Sequence, residues 1–164
     1  MAESERAALR WLLGGLVQAY DGSKPTFIEP LHSAIAGVDA ELADWRPAPT
    51  EHTIREIVGH AAAVKRRRVR RLRGEPVGSL PSLFREVASD PPVVGTWNEV
   101  VADLRRAHEA LLAEVTALDD ARLGEKLPGD ELPLGLVLTA MAGHDAYHAG
   151  QIVAIRRLWE AAKQ

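Results

Sequence analysis

Trp97, Val101, Leu104, His108, Leu111, Val115 and Leu118 follow one another in alternating steps of four and three. A strand would need steps of two. This period instead places every member on one stripe of an α-helix. A stripe that long must be buried, so it predicts a helix packed against other helices. The start is marked by Thr96 and Glu99. Their spacing is that of a capping box, in which two side chains satisfy free backbone N–H groups at the helix start. Only His108 interrupts the apolar stripe.

Three further helices are expected. The first runs from about Ser4, as N-cap, to Tyr20, with Leu9, Leu13, Leu16 and Tyr20 inward and a break at "DGSKP". The stretch "PTFIEPLHSAIAGVDAELADWRPAP" holds one or two short helical pieces, stopped by Pro47 and Pro49. The second long helix opens with another capping box, Thr53 and Glu56, and runs to about Arg73, where Gly74 ends it. The fourth begins near Pro133, a residue favoured at the first helical position. Its seam reads Leu134, Val137, Met141, His144, His148, Gln151, Ile155 and Leu158. Between the second and third long helices lies "GEPVGSLPSLFREVASDPPVVG". Antiparallel neighbours are joined by only about 2–8 residues. A connection this long predicts a crossover that lets the two helices run parallel, or a lid over a site. The expected fold is therefore all-α, a four-helix bundle with a long crossover between helices two and three. It forms one domain over residues 1–164, a length that suits one core.

Composition removes several kinds of chemistry. The chain has no cysteine, which excludes disulfides, thiolate metal sites and cysteine nucleophiles. Any metal must be held by His, Asp or Glu. A net charge of −3 gives no overall attraction to nucleic acid or to membranes. The N-terminus lacks the basic start and apolar core of a signal peptide, and no apolar run approaches a membrane span. A cytoplasmic protein is expected, with neither nucleic acid nor membrane as partner.

His144 and His148 are spaced i, i+4, which puts both rings on one helix face with Cβ atoms about 5–6 Å apart. Two imidazole nitrogens there can reach one divalent ion at about 2.0–2.1 Å each. Both lie on the expected core stripe, where two imidazoles without a shared partner are costly to desolvate. His60 is the best third ligand, because it shares an inward stripe with Ile57 and Val64. The expected metal ligands are thus His60, His144 and His148. His108 reads as a hydrogen-bonded core residue. His32 and His52 read as surface residues.

Two segments, "WRPAPTEHTIREIVGH" and "HDAYHAGQI", together resemble the DinB/YfiT-like family, which is distinct from the DNA polymerase of the same name. The resemblance covers nearly the whole chain. It implies a four-helix bundle with a long crossover and a metal-binding triad at His60, His144 and His148. It also implies a homodimer. Relatives include S-transferases that use the low-molecular-weight thiol bacillithiol, and a mycothiol-dependent isomerase. Pro133 stands where relatives often have a Thr N-cap, and Phe27 where many have Trp. Neither touches the triad.

Three neutral histidines leave an ion its full charge and an open coordination position, which is the style of a catalytic site. Zn²⁺ or Ni²⁺ is expected first, Fe²⁺ or Mn²⁺ next, because nitrogen ligands accept several first-row ions. The reading is a metal-dependent enzyme acting on a small-molecule substrate, by thiol-dependent S-transfer or metal-assisted hydrolysis. Its rival is a non-catalytic stress-response or interaction bundle with a structural or vestigial metal site. Gln151 orients a ligand or substrate, or packs across the bundle; its spacing allows both. Asp145, off the seam, reads as a surface or interface carboxylate, and Glu56 is accounted for by its capping box. Tyr147 reaches a pocket rim or a dimer partner. Gly150 reads as admitting a close helix. The run "KRRRVRRLR" reads as a solvated face whose positive charge suits a helix C-terminus. A narrower reading keeps Arg67 and Arg71, of the run that starts at Lys65, at a mouth of the site, where they attract an anionic substrate.

Overall fold

The computed structural model of the chain describes residues 6–22, 27–77 and 92–164. All regular elements among them are helical: α1 Ala7–Asp21, α2 Leu31–Ile35, α3 Ala40–Asp44, α4 Ile54–Leu72, α5 Trp97–Thr116 and α6 Leu134–Ala162, with a 3₁₀ turn at Asp120–Gly124. Both capping boxes form. Thr53 and Glu56 open α4, and Thr96 and Glu99 open α5. Pro133 is the N-cap of α6 and not its first helical residue. Ser4 and most of the connection, residues 78–91, lie outside the described residues.

Side-chain contacts give the helix directions. Arg55 of α4 donates to the Gly95 carbonyl at 2.9 Å, Arg66 to Asp103, and Arg73 to Glu114 at 2.7 Å. Both numbers rise together, so α4 and α5 run parallel. His60 meets His144 and His148, while Arg71 further along α4 meets Asp130 before α6 begins. These two helices are antiparallel. Arg6 reaches the Thr116 carbonyl, and Tyr20 stacks on His108, so α1 opposes α5 and runs with α6. Residues 74–95 thus join the start of one parallel helix to the end of the other.

The core has two clusters. One gathers α2, α3 and parts of α4, α5 and α6 around Leu31, Ile57, Leu104 and Ile152; the other gathers Leu9, Leu16, Leu111, Leu134 and Met141. The segment before α4 is tied down by polar contacts. Trp97 Nε1 donates to the Val38 carbonyl at 2.7 Å, Arg156 to the Ala34 carbonyl at 2.7 Å, and Arg46 to Glu56 at 2.6 Å. Among the described residues no helix is long and apolar enough to cross a membrane.

The inward stripe of α6 differs from the expected one. Its buried line is Leu134, Leu138, Met141, Asp145, His148, Ile152 and Ile155, again in steps of four and three. His144 and Gln151 stand on its shoulder, half-buried, and Leu158 is exposed. Leu13, Val101 and Leu118 are likewise only half-buried. The physical reason is that α6 packs against α1, α2 and α4 together. Its buried arc is therefore wider than one seam.

Candidate metal centre

Two turns inside α4, beyond the capping box that fixes the helix start, His60 points into the bundle and is almost wholly buried. From the antiparallel α6, His148 arrives equally buried, and His144 comes from the half-buried shoulder one turn before it. His60 Nε2 lies 3.0 Å from His144 Nε2, and His148 Nε2 lies 3.1 Å from the same atom. All three ligand atoms fall within 4.8 Å of one another.

These nitrogens cannot satisfy one another. A neutral imidazole has one N–H donor and one bare nitrogen, so His144 Nε2 cannot serve both neighbours with one proton or one lone pair in the same plane. An ion at the centre would satisfy all three. Bonds of about 2.0–2.1 Å separate two ligand nitrogens by about 2.9 Å at a right angle and about 3.4 Å at a tetrahedral angle. The observed 3.0 and 3.1 Å fall inside that interval. The donor set and its geometry fit a divalent ion.

Protonation and tautomer agree with that fit. Burial, reinforced by the neighbouring His148 and His60, lowers the His144 pKa to about 2. Burial lowers His148 to about 4, although its contact with Gln151 pulls the other way. Both rings are neutral at physiological pH. His148 Nδ1–H donates to Gln151 Oε1 at 2.6 Å, and Gln151 Nε2 donates to the Tyr147 hydroxyl at 3.1 Å. With its proton held on Nδ1, His148 keeps the lone pair of Nε2 aimed at the centre. Partners of this kind fix ligand tautomer and orientation at metal sites. Tyr147, otherwise 64% exposed, marks the solvent side of this relay.

Several sequence-based expectations are corrected. Asp145 is not at the surface: it is 0% exposed and accepts from Lys65, itself 1% exposed, at 2.6 Å. Burial pushes its carboxyl up, against the pull of the Lys65 ammonium. The basic run is not a uniformly solvated face. Lys65, Arg68 and Arg71 point inward, and Arg68 and Arg71 share the buried Asp130 carboxylate. Arg66, Arg70 and Arg73 do face outward, onto Asp103, Glu75 and Glu114. Arg71 therefore does not line a mouth of the site: it ties the loop before α6 to α4, donating also to the Pro128 carbonyl at 3.0 Å. Arg67, the other member of that pair, is half-buried on α4. His108 is buried as expected but not hydrogen-bonded. Among the described residues neither ring nitrogen has a partner, and the ring stacks on Tyr20 at 3.9 Å. Gly150 is exposed, and a Cβ there would meet nothing within 4 Å from another element among the described residues. Glu56 makes its capping box and adds the contact with Arg46.

One signal for the buried pair was present in the sequence. Lys65 and Asp145 are opposite charges that fall at helical spacing on apolar stripes of two different helices, Lys65 after Ile54, Ile57 and Ala61, and Asp145 between Met141 and His148. Buried opposite charges are found paired, so the two pointed to each other.

A sequence model of the DinB superfamily matches residues 28–152, a span that includes His60, His144, His148 and Gln151. Searches of curated proteins and of solved structures gave no match.

Proposed function

Since the chain belongs to the DinB superfamily, we propose that it holds a divalent metal ion at His60, His144 and His148 and acts through that ion on a small molecule. The single observation behind this reading is the convergence of three imidazole nitrogens, 3.0 and 3.1 Å apart, that cannot satisfy one another. When bound, such an ion would supply Lewis-acid polarisation of an oxygen or sulfur donor. The chain's own residues supply the rest. His60 and His148 are sealed in the core and set the inner wall. His144, half-buried, sits toward the open side. Gln151 holds the His148 proton away from the centre, and Tyr147 supports Gln151 at the rim. Zn²⁺ and Ni²⁺ are the first candidates, Fe²⁺ and Mn²⁺ the next. The reaction class is thiol-dependent S-transfer or metal-assisted hydrolysis, and the thiol part rests on the resemblance to thiol-using relatives.

The test is direct. Purified protein takes up about one equivalent of Zn²⁺ or Ni²⁺, measured by elemental analysis and calorimetry, and the ion raises the melting temperature. At 100 times Kd the rise corresponds to about 2.7 kcal/mol. His60→Ala and His148→Ala each abolish it. A wild-type protein that binds neither ion sinks the reading. Cobalt substitution tests the thiol part: a low-molecular-weight thiol that binds the ion shifts the cobalt spectrum, and no shift with any candidate removes it. If His60→Ala lowers thermal stability while every activity of the wild type persists, the chain is a non-catalytic bundle instead.

A further inference from the structure

Two of the chain's four tryptophans meet away from the histidines. Trp45, at the C-cap of α3, and Trp159, in the last turns of α6, have ring centres 5.4 Å apart and planes at 61° to each other. Each packs one side on the core cluster and is half-buried, so each keeps part of its ring in contact with solvent. With Ala40, Glu41 and Asp44 they line a surface cleft of about 460 Å³. Small-molecule sites commonly measure about 300–1,000 Å³. Trp159 and His148 share α6 but stand about 16 Å apart along it, at about 1.5 Å per residue. The cleft is therefore separate from the triad.

One wall of the cleft is acidic. Glu41 and Asp44 stand three positions apart, on one face of α3. Asp44 is already engaged, because Arg55 donates to both of its oxygens, to Oδ2 at 2.8 Å. Glu41 is exposed, and among the described residues its carboxylate has no hydrogen bond or ion pair. The other wall supplies an independent observation. The Lys163 ammonium, from the C-cap of α6, sits over the Trp159 ring, 4.0 Å from its centre. Indole is the side chain whose face attracts a cation most strongly. The chain thus rests one of its own cations on the ring that borders an unpaired carboxylate.

We infer that the cleft between Trp45 and Trp159 binds a small molecule that carries an alkylated ammonium group, and that this group takes the place of the Lys163 ammonium. The chemistry of the walls selects the class. An anion would be repelled by Glu41, and a neutral molecule would gain nothing from its charge or from the negative faces of the rings. A bare ammonium ion is strongly hydrated and gives up its water reluctantly. Alkyl groups around the nitrogen weaken that hydration and bury apolar area on two indoles, while the charge stays within reach of Glu41. Arg55 does not oppose a cation here, because its guanidinium is committed to Asp44 and to the Gly95 carbonyl at 2.9 Å. This inference is independent of the metal reading.

NMR spectroscopy of the isotope-labelled full chain tests it, because the indole N–H signals of Trp11, Trp45, Trp97 and Trp159 report separately. The probe is choline chloride, titrated against sodium chloride of equal ionic strength. Trp45 and Trp159 shift and saturate, while Trp11 and Trp97 stay in place. Dimethylbutanol, the uncharged isostere in which carbon replaces the choline nitrogen, moves none of the four. Glu41→Gln weakens choline about 2–5-fold, as loss of one exposed charge contact does. Trp159→Leu, with unchanged helical circular dichroism, weakens it at least about 5-fold. Lys163→Ala clears the ring and tightens binding about 2-fold or more. The inference is overturned if neither indole has moved by roughly 50 mM choline, far above a millimolar dissociation constant. It is overturned equally if the uncharged isostere binds as well as choline, which would make the cleft merely apolar. An affinity that does not rise in Lys163→Ala, or does not fall in Glu41→Gln, overturns it too.

Discussion

His60, His144 and His148 bring three nitrogens to one point, whereas Tyr20, Lys65, His108 and Asp145 share the same core without converging. The second group takes one residue from each long helix, and none is more than 3% exposed. It divides into an ion pair, Lys65 with Asp145, and a ring stack, Tyr20 on His108, with the Lys65 ammonium 5.9 Å from the Tyr20 ring centre. Both groups are buried and polar, and Asp145 follows His144 directly in the chain. The difference lies in where their lone pairs point. In the second group the Lys65 ammonium already meets the Asp145 carboxylate, which leaves no vacancy for an ion. In the triad three ring nitrogens converge on one point, with no carboxylate in the group among the described residues. Convergence of donors, more than burial of polarity, is what identifies a ligand site.

That contrast can be broken at the ion pair first. Lys65→Met leaves the Asp145 carboxylate buried and alone. Removing one partner of a buried pair costs about 3–5 kcal/mol. Urea denaturation of the metal-free protein should show that loss, and Lys65→Met with Asp145→Leu should recover most of it. If the double variant is as unstable as the single, the pair does more than satisfy itself.

His108 gives the next largest effect, with the opposite sign. Burial, helped by the nearby Lys65 charge, lowers its pKa from 6.5 to about 3. In the unfolded chain it binds a proton below about 6.5; in the folded chain it does not until about 3. Stability therefore falls as pH drops through that window, by up to about 1.4 kcal/mol per pH unit for this one group. His108→Phe keeps a ring against Tyr20 and removes two unpaired nitrogens, each of which costs about 1–3 kcal/mol when buried. The variant should be more stable than wild type at pH 7, with a shallower decline in acid. Equal stability curves from pH 7 to pH 4 would show that its nitrogens are satisfied in solution.

The smallest change sharpens the triad itself. Gln151→Leu removes the acceptor for His148 Nδ1–H and should weaken metal affinity about 10–100-fold, as loss of such a partner does elsewhere. Competition with a chromophoric chelator measures this. Gln151→Glu restores the acceptor and should restore affinity. A Gln151→Leu protein that loses thermal stability when metal-free, yet binds the ion normally, would reduce Gln151 to packing.

Much of this was legible from residue spacing. Both capping boxes, the four long helices and the three histidines can be found with a helical period and a few chemical rules, because each is a local pattern. The rest depended on what surrounds a helix. For α6 the stripe through His144 and Gln151 and the stripe through Asp145 and Ile152 have the same period, and only the packing of α1, α2 and α4 decides between them. The same holds in α4, where Arg68 and Arg71 turn inward because Asp130, far along the chain, is there to receive both. Spacing also could not show that His108 lacks partners, since satisfaction of a buried nitrogen is a property of its neighbours.

His60 and His144 are 84 positions apart. An ion bound by both would close a loop of that length in a chain that has no cysteine to close one. By chain entropy alone, a covalent link across such a loop stabilises a fold by roughly 4–5 kcal/mol. A metal there would act as a removable staple, so the chain's resistance to unfolding and proteolysis would follow the supply of the ion. The half of the bundle most affected would be α4 and α6, the two helices it joins.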